Sequence, residues 1–108
     1  MLDFVMIFVT VSSKEEGERI ARRLIDSGTA PCVNIIPACL SIYRWKGETC
    51  RDEESLMIIK SRGELFPKVK EIVESLHSYE VPEVIAVPLA DVSERYRMFL
   101  EGFFKSRD

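Results

Sequence analysis

From Phe4 to Val11 the chain is a nearly unbroken run of Phe, Val, Met and Ile, and this run limits the fold more than any other feature. A strand with one face in water alternates apolar and polar side chains, whereas a strand apolar at almost every position must be covered on both faces. The run is too short to span a bilayer, has Asp3 before it and lacks a basic leader, so it reads as a central strand of a soluble, unexported protein. With 108 residues, 46% hydrophobic and 31% charged, the chain is expected to form one domain over residues 1–108. That length suffices for a core without disulfide or metal staples.

Turn and capping signals divide the rest. Ser13 and Glu16 stand at capping-box spacing, and Ile20, Ala21, Leu24 and Ile25 then share one helical face up to Gly28, the expected C-terminal cap. Residues 32–36 and 40–45 read as one long strand broken at Pro37, turning at Lys46-Gly47-Glu48 and returning from Thr49 to Lys60. A long hairpin with a projecting tip follows. Ser61 and Glu64 repeat the capping-box spacing ahead of a second stripe of Leu65, Val69, Ile72, Val73 and Leu76, with Pro67 placed in the first turn. Residues 83–87 form a last strand stopped by Pro88, and Asp91 or Ser93 caps a helix carrying Tyr96, Phe99, Leu100 and Phe103.

The order is β-α-β-β-α-β plus a C-terminal helix, which predicts an α+β, ferredoxin-like antiparallel sheet with two helices on one face. Its strands are too apolar to leave the other face wet, so neighbouring subunits or the last helix must cover it, and the hairpin is the arm that reaches a partner. This fold serves many functions, so motifs must decide. With 15 Lys and Arg against 18 Asp and Glu, a net charge of -3, nucleic acid is not an expected partner. Thr10-Val-Ser-Ser13 offers no paired thiolates for soft-metal carriage, and no glycine-rich phosphate cradle, nucleophile elbow or HExxH zinc signature occurs. Cys32, Cys39 and Cys50 form no CxxC unit. They point to free thiols in a reducing cytoplasm, although Cys39 and Cys50 fall on opposite arms of the hairpin.

Four stretches carry a specific resemblance: Ala30-Pro-Cys-Val-Asn-Ile-Ile-Pro37, Ser41-Ile-Tyr-Arg-Trp-Lys-Gly47, Leu56-Met-Ile-Ile-Lys60 followed by Glu64-Leu-Phe-Pro67, and His77-Ser-Tyr-Glu-Val-Pro-Glu83. In this order the chain resembles the CutA divalent-ion-tolerance family over nearly its whole length. The resemblance implies a cytoplasmic homotrimer of ferredoxin-like subunits whose sheets face inward and whose hairpins clasp neighbours. It also implies a role in tolerance of copper and other divalent cations. Ser78 stands where the family usually has Pro, which predicts a less rigid loop around His77. Val9 stands near a position where some members carry Cys, so any metal site carried over is incomplete.

His77, the only histidine, is the leading candidate metal ligand, because imidazole suits copper and zinc. A helix-terminal His that bonds the last carbonyls is the competing reading. Glu80 and Cys32 are weaker ligand candidates, Cys32 reading first as a small buried hydrophobe and only second as a thiolate ligand. Tyr43 and Trp45 share one strand face near the turn, as interface anchors or as a cavity wall. The resemblance implies that Trp45, Glu54, Lys60, Tyr79 and His77 meet in a polar cleft between subunits. No partnered nucleophile or paired carboxylate stands out, so no catalysis is expected. The expected function is divalent-cation tolerance through binding or responding to copper or a similar ion as a homotrimer. The alternative is a trimeric signalling protein, like the nitrogen-regulatory kind, holding a metabolite in the cleft.

Overall fold

A computed structural model describes residues 3–105. The apolar run forms β1 (Phe4–Val11), followed by α1 (Lys14–Asp26), β2 (Cys32–Trp45), β3 (Glu48–Arg62), a 3-10 turn (Gly63–Leu65), α2 (Phe66–Leu76), β4 (Ile85–Pro88) and α3 (Glu94–Lys105). The sheet order is β2-β3-β1-β4, antiparallel throughout. This is the expected ferredoxin-like arrangement, with β1 in the interior of the sheet.

Both faces of β1 are used, as its composition requires. Ile7, Val9 and Val11 are buried with Ile20 and Leu24 of α1, Val69, Ile72 and Val73 of α2, and Met57 and Ile59 of β3. Phe4 points the other way and is buried beneath α3, whose single fully buried side chain is Leu100. The Arg62 guanidinium lies 5.9 Å from the Phe4 ring and 5.4 Å from that of Phe104, joining α3 to this end of the sheet. The rest of that face stays open, with Ile36, Ile85 and Val87 exposed.

Local signals explain most boundaries. Ser13 caps α1 by accepting a hydrogen bond from the Glu16 N–H at 3.2 Å. Gly28 follows the helix at φ 74 while Thr29 N–H returns to the Leu24 carbonyl at 2.9 Å, a left-handed C-terminal cap of the kind glycine favours. The break at Pro37 is a bulge between Ile36 and Cys39, with Ala38 at φ 63. At the hairpin tip Trp45 pairs with Glu48 across Lys46 and Gly47, both at positive φ, a type I′ turn that matches strand twist.

Two expectations needed correction. Ser61 does not cap the second helix: it lies inside β3, and its buried hydroxyl donates to the Thr29 carbonyl at 2.7 Å. The chain passes through the 3-10 turn instead, and α2 begins at Phe66 without a side-chain cap. The last strand starts later than residue 83 and includes Pro88, which sits opposite Val5. Because β4 is an edge strand, the missing N–H costs no ladder bond there. Cys39 faces Glu54 and Cys50 faces Tyr43, so they are not neighbours across the hairpin, and all three cysteines are free.

Only residues Ser55 to Arg62 of β3 pair with β1, whereas its pairing with β2 continues to Glu48. The outer hairpin therefore runs beyond the sheet as a two-stranded arm, and it forms one wall of the site.

Candidate functional site

The site begins where α2 stops. His77 takes an extended conformation, φ -78 and ψ 143, so the helix ends there with its N–H on the Val73 carbonyl. The imidazole is turned inward with none of its surface exposed. Nε2 lies 2.7 Å from the Thr10 carbonyl, and Nδ1 accepts the Tyr79 N–H at 3.1 Å. A carbonyl can only accept and an N–H can only donate, so these partners assign the neutral Nε2–H tautomer. Both ring nitrogens are thereby occupied.

Beneath this ring lies Glu16, 3% exposed in the first turn of α1. Its Oε1 accepts the Ser12 N–H at 3.0 Å, the Ser12 hydroxyl at 2.6 Å and the Ser78 hydroxyl at 3.1 Å, while Oε2 accepts the Ser78 N–H at 2.7 Å. Burial alone pushes this carboxyl up, but the hydrogen bonds from Ser12 and Ser78 outweigh it and leave the group below its usual 4.5. Ser78 was expected to loosen the loop. Instead it supplies an N–H that proline lacks and a hydroxyl, both on Glu16.

That clamp aims the next residue. The Tyr79 hydroxyl donates to Glu54 Oε2 at 2.5 Å, and its ring lies 4.6 Å from the His77 ring. Burial, and then the Glu54 carboxylate, raise the Tyr79 hydroxyl well above its usual range. Farther along the arm the Tyr43 hydroxyl donates to Asp52, a bond that pushes it up to about 12. Between the arm and residues 79–83 opens a cleft of about 700 Å³. Asp52, Glu54, Glu80 and Glu83 line it together with Tyr43, Trp45 and Tyr79, and among the described residues no Lys, Arg or His side chain does.

The expected residues divide into three groups. Trp45, Glu54, Tyr79 and Glu80 come together at the cleft. His77 lies behind its wall, joined to it through Tyr79. Cys32 and Lys60 lie on the open sheet face, where the Lys60 ammonium donates to Asn34 Oδ1 and to Cys32 Sγ, the latter at 3.9 Å. Within one chain Lys60 therefore does not pair with Glu54, six residues and ~20 Å away at ~3.3 Å per residue. Burial first, and then the neighbouring Cys32, raise the Tyr96 hydroxyl of α3. Among the described residues no three His, Cys, Asp or Glu side chains converge to hold an ion, so His77, Glu80 and Cys32 are not a ligand set within one chain. Sequence reasoning missed Glu16, Asp52 and Glu83. The serine pair preceding Glu16 was the available signal, but the capping-box reading absorbed it.

A family model described as CutA1 divalent ion tolerance protein matches residues 5–102. The chain belongs to the CutA1 family. It is 44% identical over 91 residues to the divalent-cation tolerance protein CutA of Thermus thermophilus, covering 84% of this chain and 88% of that one. It is 39% identical over 98 residues to the chloroplastic protein CutA of Arabidopsis thaliana, covering 91% of this chain but 54% of that relative, about half its length. The crystal structure of CutA1 from Oryza sativa matches with a TM-score of 0.90 at 39% identity, covering 94% of each chain. Among the described residues no helix of this CutA1-family chain is long and apolar enough to cross a membrane.

Proposed function

We propose that this chain supports tolerance of divalent cations, copper(II) among them, as a homotrimer that binds the ion at its acidic cleft. The observation that carries this reading is the lining of Asp52, Glu54, Glu80 and Glu83 with no basic side chain beside them among the described residues. Carboxylates draw divalent cations in and supply oxygen donors to them. Since one chain brings no three donors together, a neighbouring copy or water completes the coordination. Glu80 and Glu54 are the assigned ligands. His77 acts as a positioning residue, because ligation would cost it a bond to Thr10 or Tyr79. Cys32 and Lys60 belong to the sheet face that the trimer would cover.

The exposed Ile36, Ile85 and Val87 on the open face support assembly, since apolar side chains left uncovered on a sheet face seek cover. The three free thiols agree with a reducing cytoplasm. No catalytic role is assigned. The alternative expected from sequence, an anionic metabolite in the cleft, would meet four carboxylates and no cation there, and is not favoured.

The test is calorimetric titration of the reduced chain with copper(II) and zinc(II) over a weak competing chelator, with light scattering for mass. Saturable binding by wild type and by His77→Ala, lost in Glu54→Gln/Glu80→Gln, is the expected result. Equal binding by the carboxylate variant overturns the assignment, loss in His77→Ala alone makes His77 the ligand, and a monomer mass removes the trimer.

A further inference from the structure

The cleft has an aromatic wall that metal binding leaves unused. Tyr43 and Trp45 lie on one face of the arm, each 41% exposed, with their rings on the hollow that Asp52 and Glu54 also line. A bare metal ion gains little from an indole, whereas an alkylammonium ion gains from both a carboxylate and an aromatic face. From these neighbours we propose that the cleft binds elongated organic cations, linear alkyl diamines being the simplest members of the class.

Two observations support this independently of the acidic lining. The ammonium group of Lys46 already lies 5.8 Å from the centre of the Trp45 ring, within the ~6 Å reach of a cation–π contact. The chain's own side chain thus demonstrates the ligand chemistry at that ring. The second observation is the spacing of charge. Glu54 faces Cys39 and Trp45 faces Glu48, so the groove runs about six residues, ~20 Å at ~3.3 Å per residue. Asp52 and Glu54 stand two residues apart on the arm, ~7 Å at ~3.3 Å per residue, with Trp45 farther along it and Glu80 and Glu83 on the facing wall, and among the described residues no three of these groups converge on one point. Charges separated by a methylene chain match such a groove, and Leu40 and Val81 give the methylenes an apolar wall. A volume of about 700 Å³ is that of a small-molecule site. The Tyr43 and Tyr79 hydroxyls hold Asp52 and Glu54 in place; Asp52 is exposed to the hollow, whereas Glu54 is buried at its base.

The proposal shares its cleft with the metal reading but stands on the indole, so the two fail separately. Trp45 is the only tryptophan, and its fluorescence reports occupancy of the full, assembled protein. Hexamethylenediamine should give a saturable change, confirmed by calorimetry, with the neutral isostere hexanediol at least about tenfold weaker. Trp45→Ala, checked for native circular dichroism, should weaken the diamine about tenfold with Trp45→Phe in between. Copper(II) binding should be unchanged in Trp45→Ala. No saturable diamine binding, equal binding of the diol, or an unaltered affinity in Trp45→Ala overturns the proposal. Diamine binding without metal binding overturns the metal reading and leaves this one standing.

Discussion

Replacing Glu16 tests whether one buried carboxylate holds the cleft wall. Its two oxygens take four hydrogen bonds, two of them from the backbone N–H groups of Ser12 and Ser78. In Glu16→Ala both N–H groups lose their acceptor; the carboxylate is buried but Ser12 and Ser78 are themselves exposed, so water can take its place in part. At ~0.5–1.5 kcal/mol for each of the two lost backbone bonds, the loss is roughly 1–3 kcal/mol. Glu16→Gln keeps the shape and can keep its amide oxygen at Oε1, where three of the bonds converge. Its NH2 then faces the Ser78 N–H, donor against donor, so one bond is lost and the cost is about 0.5–1.5 kcal/mol. The pH dependence has a definite sign. The folded-state carboxyl lies below its usual 4.5, so its contribution is fully present above that pH and is lost as pH falls through the folded value. The gap between wild type and Glu16→Gln should therefore narrow in acid. The assay is guanidinium unfolding followed by circular dichroism, at equal protomer concentration because assembly would shift the midpoint, at neutral pH and in steps down through the carboxylate range. A Glu16→Gln stability within ~0.5 kcal/mol of wild type at neutral pH, at the level of an ordinary surface change, would refute the reasoning. So would a gap that stays constant into acid.

Two further outcomes follow from the same geometry. Ser78→Pro brings in the residue usual in the family, yet it removes the N–H that lies 2.7 Å from Glu16; unfolding should show a net loss of about 1 kcal/mol, where proline at a compatible site gains ~0.4–1. Gly47→Ala places a side chain at φ +80 with nothing within 4 Å of its Cβ, so thermal unfolding should register about 1–2 kcal/mol of pure backbone cost with no steric part.

Local sequence accounts for much of this molecule because the deciding interactions are local. Apolar period, the Ser13 cap, Gly28 past the helix and the Lys46-Gly47 turn each act within a few residues, and each element appears near its expected place. Where a residue had two competing partners, local spacing misled. Ser61 and Glu64 have the spacing of a cap, but β3 claims Ser61 through its pairing with Val5 and its bond to Thr29. Glu16 likewise fits a capping box, yet its carboxylate reaches Ser12 and Ser78, the latter 62 positions away in sequence.

Composition and order alone determined a two-sided central strand, a ferredoxin-like succession of elements and an arm that outruns its sheet. A run of apolar side chains must be buried, and a two-residue turn can join only antiparallel neighbours. Tertiary structure decided which side chains meet. His77 is sealed between Thr10 and Tyr79, Lys60 turns to Asn34 and Cys32, and the carboxylates of the arm gather opposite residues 79–83. These contacts join segments far apart in the chain, and no local period encodes them; they exist only once α1, α2 and the hairpin have packed against one sheet.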